Sequence, residues 1–143
     1  MDIRQITDSY AVSPQIAPED VPALKAAGFA VVICNRPDAE VPPEFSAAAV
    51  RAAVEAEGMA FVENPLSHGN LTMEIVECQG NAIETAPGPV FAYCASGNRS
   101  SVLWALSQAG KRPVEELIGL PAQYGYQLAG LRPQLEALAA EKG

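Results

Sequence analysis

The segment Phe29 to Cys34 reads Phe-Ala-Val-Val-Ile-Cys, an unbroken apolar run rich in β-branched residues. That pattern predicts a strand buried on both faces. Shorter runs of the same kind stand at Met59–Val62 and Val90–Tyr93. Ile3–Thr7 and Tyr10–Ser13 predict two more short strands, joined as a hairpin through Asp8 and Ser9. The stretches between are longer and rich in Ala, Leu and Glu. Pro18, Glu19 and Asp20 put a proline and two acids at a helix start, where the positive end of the dipole favours them. That helix is predicted to run to about Ala27 and stop at Gly28, with Pro22 tolerated near its first turn. Pro43 and Glu44 open a second helix through about Glu57, ended by Gly58. After a polar loop from Glu63 to Asn70, Thr72 caps a third helix with Glu74 in its first turn. Pro87, Gly88 and Pro89 break the chain before the strand that ends at Cys94. A helix from Arg99 to Ala109 follows, stopped at Gly110. Two more are expected, from about Pro113 and about Gln127. In the last, Leu128, Leu131, Leu135 and Leu138 recur at helical spacing and should pack against the sheet or a partner subunit.

Helices alternating with buried strands predict an α/β fold: a single domain over residues 1–143, with a mainly parallel central sheet flanked by helices. In such sheets ligands bind outside the carboxyl ends of the strands, where Cys94 is expected. The length of 143 residues fits one domain, and 49% hydrophobic content is that of a folded protein. The net charge of -8 argues against a nucleic-acid partner, which needs a basic face. The longest apolar run, Ala26 to Cys34, has nine residues against the roughly 20 needed to cross a bilayer, so no membrane partner is expected. The amino terminus lacks the pattern of a secretion signal. Three cysteines, an odd number, point to a reduced, cytoplasmic setting.

The chemistry concentrates in Tyr93-Cys94-Ala95-Ser96-Gly97-Asn98-Arg99-Ser100-Ser101. A strand ends at Cys94, a tight loop follows, and a helix begins near Arg99. Backbone N–H groups of the loop and the helix N-terminus should converge on the sulfur, an arrangement that favours a thiolate. Arg99 supplies a permanent charge and a planar fork of donors for an oxyanion. Gly97 permits the positive φ that a closed cradle commonly needs. Ala95, Ser96, Asn98 and Ser100 complete the expected anion-binding loop, with Ser100 a candidate donor to the thiolate. The bland alternative is a buried cysteine at a strand end before an ordinary turn.

Cys94 to Arg99 resembles the anion-cradling loops of rhodaneses and cysteine-dependent phosphatases. Asn35-Arg36-Pro37-Asp38-x-Glu40 after a buried strand, together with Tyr93-Cys94-x-Ser96-Gly97-x-Arg99-Ser100 and Trp104, resembles one small bacterial family in particular. That family is related to the phosphatase-like domain of beta-lactamase-hydrolase-like proteins and is also labelled a sulfurtransferase family. The resemblance covers roughly residues 2 to 110. It implies a fold like that of dual-specificity phosphatases and leaves the chemistry between phosphate hydrolysis and sulfur transfer.

Two features favour sulfur transfer. Four residues separate Cys94 from Arg99, one fewer than in the phosphatase pattern Cys-x5-Arg, and a shorter cradle suits a terminal sulfur better than a phosphoryl group. Phosphatases of the resembled class also carry an Asp upstream to protonate the leaving group. The four Asp here are Asp2, Asp8, Asp20 and Asp38, none of them in the Glu63–Asn70 loop. The expected function is therefore a rhodanese-like sulfurtransferase acting through a Cys94 persulfide. Its expected partners are a small anionic sulfur donor, thiosulfate or a persulfide, and a thiol acceptor. The alternatives are a cysteine-dependent phosphatase working through phosphocysteine, and a non-catalytic binding or redox-sensing module, which a buried Cys94 or a Cys94–Cys78 disulfide would favour. His68, the only histidine, and Arg36 and Asp38 are further candidate contacts; Arg36 is equally readable as an ion pair with Asp38 or Glu40. Cys34 and Trp104 read as core. No metal-ligand spacing and no nucleotide motif occur, so no metal and no cofactor are expected. The oligomeric state has no signature in the sequence.

Overall fold

A computed structural model describes residues 1–142 and sorts the hydrophobic pattern into one five-stranded sheet with helices on both faces. Strands β1 (Arg4–Thr7) and β2 (Tyr10–Ser13) form the expected antiparallel hairpin, with Arg4 opposite Val12. Strands β3 (Val31–Cys34), β4 (Ala60–Glu63) and β5 (Val90–Tyr93) run parallel with β2 in the order β1-β2-β5-β3-β4. Helices α1 (Val21–Ala26), α2 (Ala47–Ala56) and α3 (Met73–Thr85) make the crossovers, and α4 (Asn98–Ser107), α5 (Val114–Ala122) and α6 (Arg132–Lys142) follow β5.

The period-two alternation of each strand divides the core in two. Val12, Val31, Ile33, Val90 and Ala92 face Val76, Leu103, Trp104, Leu117 and Leu135 from α3 to α6. Ala11, Val32, Cys34, Phe91 and Tyr93 face Val21, Leu24, Val50 and Val54 from α1 and α2. Trp104 and Cys34 are core residues, as expected, and the C-terminal leucines join the first of these clusters, with α6 packed against α4 and α5.

Some helix starts come later than the sequence expectation. Pro18–Asp20 and Pro43–Phe45 are single 3-10 turns, and α2 begins only after Ser46, whose Oγ accepts from Ala49 N at 3.2 Å. The last helix begins at Arg132, not Gln127, because Ala129–Leu131 forms a separate 3-10 turn before it. Among the described residues, no helix is long and apolar enough to cross a membrane.

Candidate active site

Strand β5 is central, flanked by β2 and β3, so Cys94 leaves the sheet at the middle of its carboxyl edge. Tyr93 faces α1 and α2, so alternation turns Cys94 toward the opposite face, where α4 starts. The chain reverses at Gly97, the N-cap of α4, with φ +95, a left-handed conformation that only glycine adopts without strain. This turn aims the Gly97 N–H at Cys94 Sγ, 3.1 Å away. The first-turn N–H groups of α4 have no partner within the helix and carry the positive end of its dipole toward the same loop.

Arg99 lies in that first turn, and only 8% of it is exposed. Its guanidinium donates to Glu40 Oε2 at 3.0 Å and Oε1 at 2.7 Å, and to the carbonyl of Leu66 at 2.7 Å. The Glu40 carboxylate, and more weakly the Cys94 sulfur, hold the Arg99 pKa above its ordinary value. In return Arg99 pulls the Glu40 pKa below the usual carboxylate range, with Arg36 adding to the effect.

Arg36 takes the ion-pair reading, with Glu40 and not Asp38. Its Nε meets Glu40 Oε1 at 3.3 Å, a second nitrogen donates to the Glu40 carbonyl, and a third contact goes to Gln15. Asp38, a candidate contact at the site, accepts from Ala47 N at 2.8 Å and so caps α2. Ser100 is not a donor to the thiolate: its hydroxyl proton goes to Asn35 Oδ1 at 2.8 Å. Ala95, Ser96 and Asn98 form the exposed rim of the loop, where Ser96 Oγ accepts the Asn98 N–H at 3.2 Å. His68 is exposed, two residues beyond Leu66, so the loop that carries it is fastened to Arg99.

Beneath the loop lies a buried polar network that the sequence reading missed. Gln79 accepts from both Asn35 Nδ2 (2.8 Å) and Asn64 Nδ2 (2.9 Å), and donates to Asn35 Oδ1 (3.1 Å) and Tyr10 Oη (3.0 Å). Tyr10 in turn donates to the Ser100 carbonyl at 2.8 Å. Each amide group is paired, so the network ties the ends of β3 and β4 and helix α3 to the start of α4. Asn35 and Asn64 each follow directly on a strand, which was a legible signal.

Cys94 has no exposed surface, as an inert core cysteine would. Its polar surroundings separate it from one. Cys34, by contrast, sits in an apolar cluster, and burial pushes its thiol pKa up. Burial does the same to Cys78 on α3. All three cysteines are free. Two cavities of about 370 and 250 Å³ open between α3, α4 and α6, but none of their lining residues belongs to the Cys94 loop. Chemistry locates the candidate site here, not the size of a hollow.

Comparison with known proteins bears on which chemistry this is. The sequence model of the beta-lactamase hydrolase-like protein, phosphatase-like domain, matches residues 2–111. A beta-lactamase hydrolase-like protein of Agrobacterium fabrum is 31% identical over 134 residues, 92% of this chain and 31% of that protein. One from Xylella fastidiosa strain 9a5c is 29% identical over 99% of this chain and 33% of its own length. The chain thus spans about a third of these curated relatives. Among solved structures, a Neisseria meningitidis protein provisionally named a phosphatase superposes with a TM-score of 0.81 at 30% identity, covering 96% of this chain and 99% of that one. The crystal structure of PTPMT1 superposes with a TM-score of 0.75 at 13% identity, over 98% of each chain, and shows the fold alone.

These findings overturn the expected sulfurtransferase: the matched family and the related structure are phosphatase-like. The spacing argument failed for a physical reason. The cradle is not made by the Cys94–Arg99 loop alone, because Gly97 turns directly into α4 and the helix's first-turn N–H groups extend it. Counting residues between Cys94 and Arg99 therefore does not measure the anion that fits.

Proposed function

The chain belongs to the phosphatase-like domain family of beta-lactamase hydrolase-like proteins, and on that premise we propose that it is a cysteine-dependent phosphatase acting on phosphate monoesters. One observation carries the reading: Cys94 Sγ accepts a loop N–H at the mouth of a helix N-terminus, and Arg99, with its permanent charge, lies in that helix's first turn. Such a site stabilises a thiolate and, above it, the spread negative charge of a phosphoryl group in transfer. The Cys94 thiolate attacks phosphorus; an S–P bond forms as the ester P–O bond breaks. The electron pair leaves on the ester oxygen, which takes up a proton. Water then attacks the phosphocysteine, releasing inorganic phosphate and restoring the thiolate. Arg99 and the loop N–H groups bind the non-bridging oxygens through both steps. His68 is the one titratable side chain between Asn64 and Asn70, and in this reading it protonates the leaving oxygen. A reducing cytoplasm suits a nucleophile that must remain a free thiol.

The test is hydrolysis of p-nitrophenyl phosphate by the wild-type protein and Cys94→Ser. Acid quenching during turnover, followed by intact-mass measurement, reads the intermediate. The expected result is a mass gain of one phosphoryl group on the wild type, with neither turnover nor adduct in the variant. Equal hydrolysis by Cys94→Ser would refute the reading.

A further inference from the structure

A trans peptide unit is rigid, so its C=O and N–H point in opposite directions and cannot be set independently. The unit joining Ser96 to Gly97 is one such plane. Its N–H donates to Cys94 Sγ at 3.1 Å. Its C=O accepts the hydroxyl of Tyr126 at 2.8 Å from the other side of the loop. Holding the carbonyl outward therefore aims the N–H inward. The Tyr126 oxygen in turn accepts from Arg4 at 2.7 Å, and Asp2 fixes Arg4 with contacts of 2.6 and 3.1 Å. The Arg4 guanidinium also sits 5.5 Å from the centre of the Tyr126 ring.

From this geometry we infer that Tyr126 is a positioning residue for the Cys94 nucleophile, holding the Ser96–Gly97 peptide so that its N–H stays on the sulfur. The inference rests on Cys94 being the nucleophile of the proposed function. Three further observations support it. Tyr126 is 6% exposed, and its backbone N–H is fixed to the Pro121 carbonyl at 3.2 Å, so the ring is not a mobile surface group. Burial holds the phenol's pKa above its ordinary value despite Arg4, so at neutral pH it keeps the proton that it donates to Ser96. A Cβ on Gly97 would collide with the Tyr126 hydroxyl, so the glycine serves the clamp as well as the turn. Tyr126 lies beyond residues 2–111, the span that the family's sequence model matches. This chain completes the support of its loop with a segment that follows α5.

The physics predicts a graded effect. Losing the hydroxyl frees the peptide plane to rotate, and the sulfur loses part of a charge-assisted hydrogen bond. The test measures Cys94 alkylation by iodoacetamide against pH, read at the Cys94 peptide by mass spectrometry, in wild type, Tyr126→Phe and Arg4→Met. Tyr124→Phe, on an exposed side chain, serves as the control. In Tyr126→Phe the alkylation profile is expected to move to higher pH, and the rate at neutral pH to fall about 3- to 10-fold. Arg4→Met should move it the same way by less, and Tyr124→Phe should leave it in place. A profile in Tyr126→Phe that overlays the wild type overturns the inference. Should that variant fail to fold, an unmoved profile in Arg4→Met overturns it. Alkylation needs no turnover, so a wild-type protein without phosphatase activity would count against the proposed function and leave the clamp to be judged separately.

Discussion

Glu40→Gln tests whether Arg99 is aimed by its carboxylate. Glu40 accepts two guanidinium bonds, at 2.7 and 3.0 Å, from a side chain that is only 10% exposed, while its own is 28% exposed. Glutamine keeps the shape but loses the charge, and its NH₂ turns a donor toward donors. Removing one partner of a fully buried pair costs about 3–5 kcal/mol. Glu40 is partly solvated and Arg99 keeps the Leu66 carbonyl, so the expected loss is smaller, about 1–3 kcal/mol. At roughly 3 °C per kcal/mol for a chain of this size, the melting temperature should fall by about 3–9 °C. The pH dependence gives an independent check. The folded-state pKa of Glu40 lies below its unfolded value, so its stabilisation is fully present above about 4.5, the ordinary glutamate value, and is lost as pH falls through the folded value. The gap in melting temperature between wild type and Glu40→Gln should therefore be full at neutral pH and close in acid. With p-nitrophenyl phosphate, KM should rise in the variant because Arg99 is no longer held over the loop. Thermal melts from neutral pH to pH 3, together with initial rates, read all of this. A gap that is absent at neutral pH, or that persists unchanged in acid, would refute the reasoning.

His68→Asn should slow hydrolysis of alkyl phosphates, whose leaving oxygens need a proton, by about 10²-fold or more, while p-nitrophenyl phosphate is barely affected. Equal losses on both substrates would remove His68 from the acid role. Gln79→Leu should destabilise the protein by about 3 kcal/mol, because the Asn35 and Asn64 amides would be left buried without their shared partner. A urea-unfolding midpoint equal to that of the wild type would show the network to be dispensable.

Sequence periodicity was enough to place every strand, since a run such as Val31–Cys34 has one interpretation when turn residues bound it. Helix starts were less legible because two start signals compete locally. Pro43 and Glu44 announce a helix, yet Ser46 and the distant Asp38 carboxylate satisfy its first N–H groups, and the α-helix waits for them. Asp38 reads as a candidate contact along the chain and turns out to be a cap. The distinction depends on Ala47, nine residues on, which no local window weighs.

The same limit explains the site. Cys94, Gly97 and Arg99 were legible because their chemistry is carried by residue type within one turn of chain. The groups that orient them come from far away in sequence: Glu40 for Arg99, Gln79 for Asn35, Tyr126 for the Ser96 carbonyl. Glu40 was visible as the end of the Asn35–Glu40 element and as a partner for its neighbour Arg36, not as a partner for Arg99, and Tyr126 carried no signal at all. The wrong choice of reaction follows from this. Loop length and a missing Asp are local facts. The donors around Cys94 depend instead on the helix that the loop opens, and on a carboxylate, a phenol and an amide network that arrive from other elements and hold them in place. A residue's type therefore fixes the class of chemistry within reach, while the surrounding elements fix how each donor of the loop is aimed.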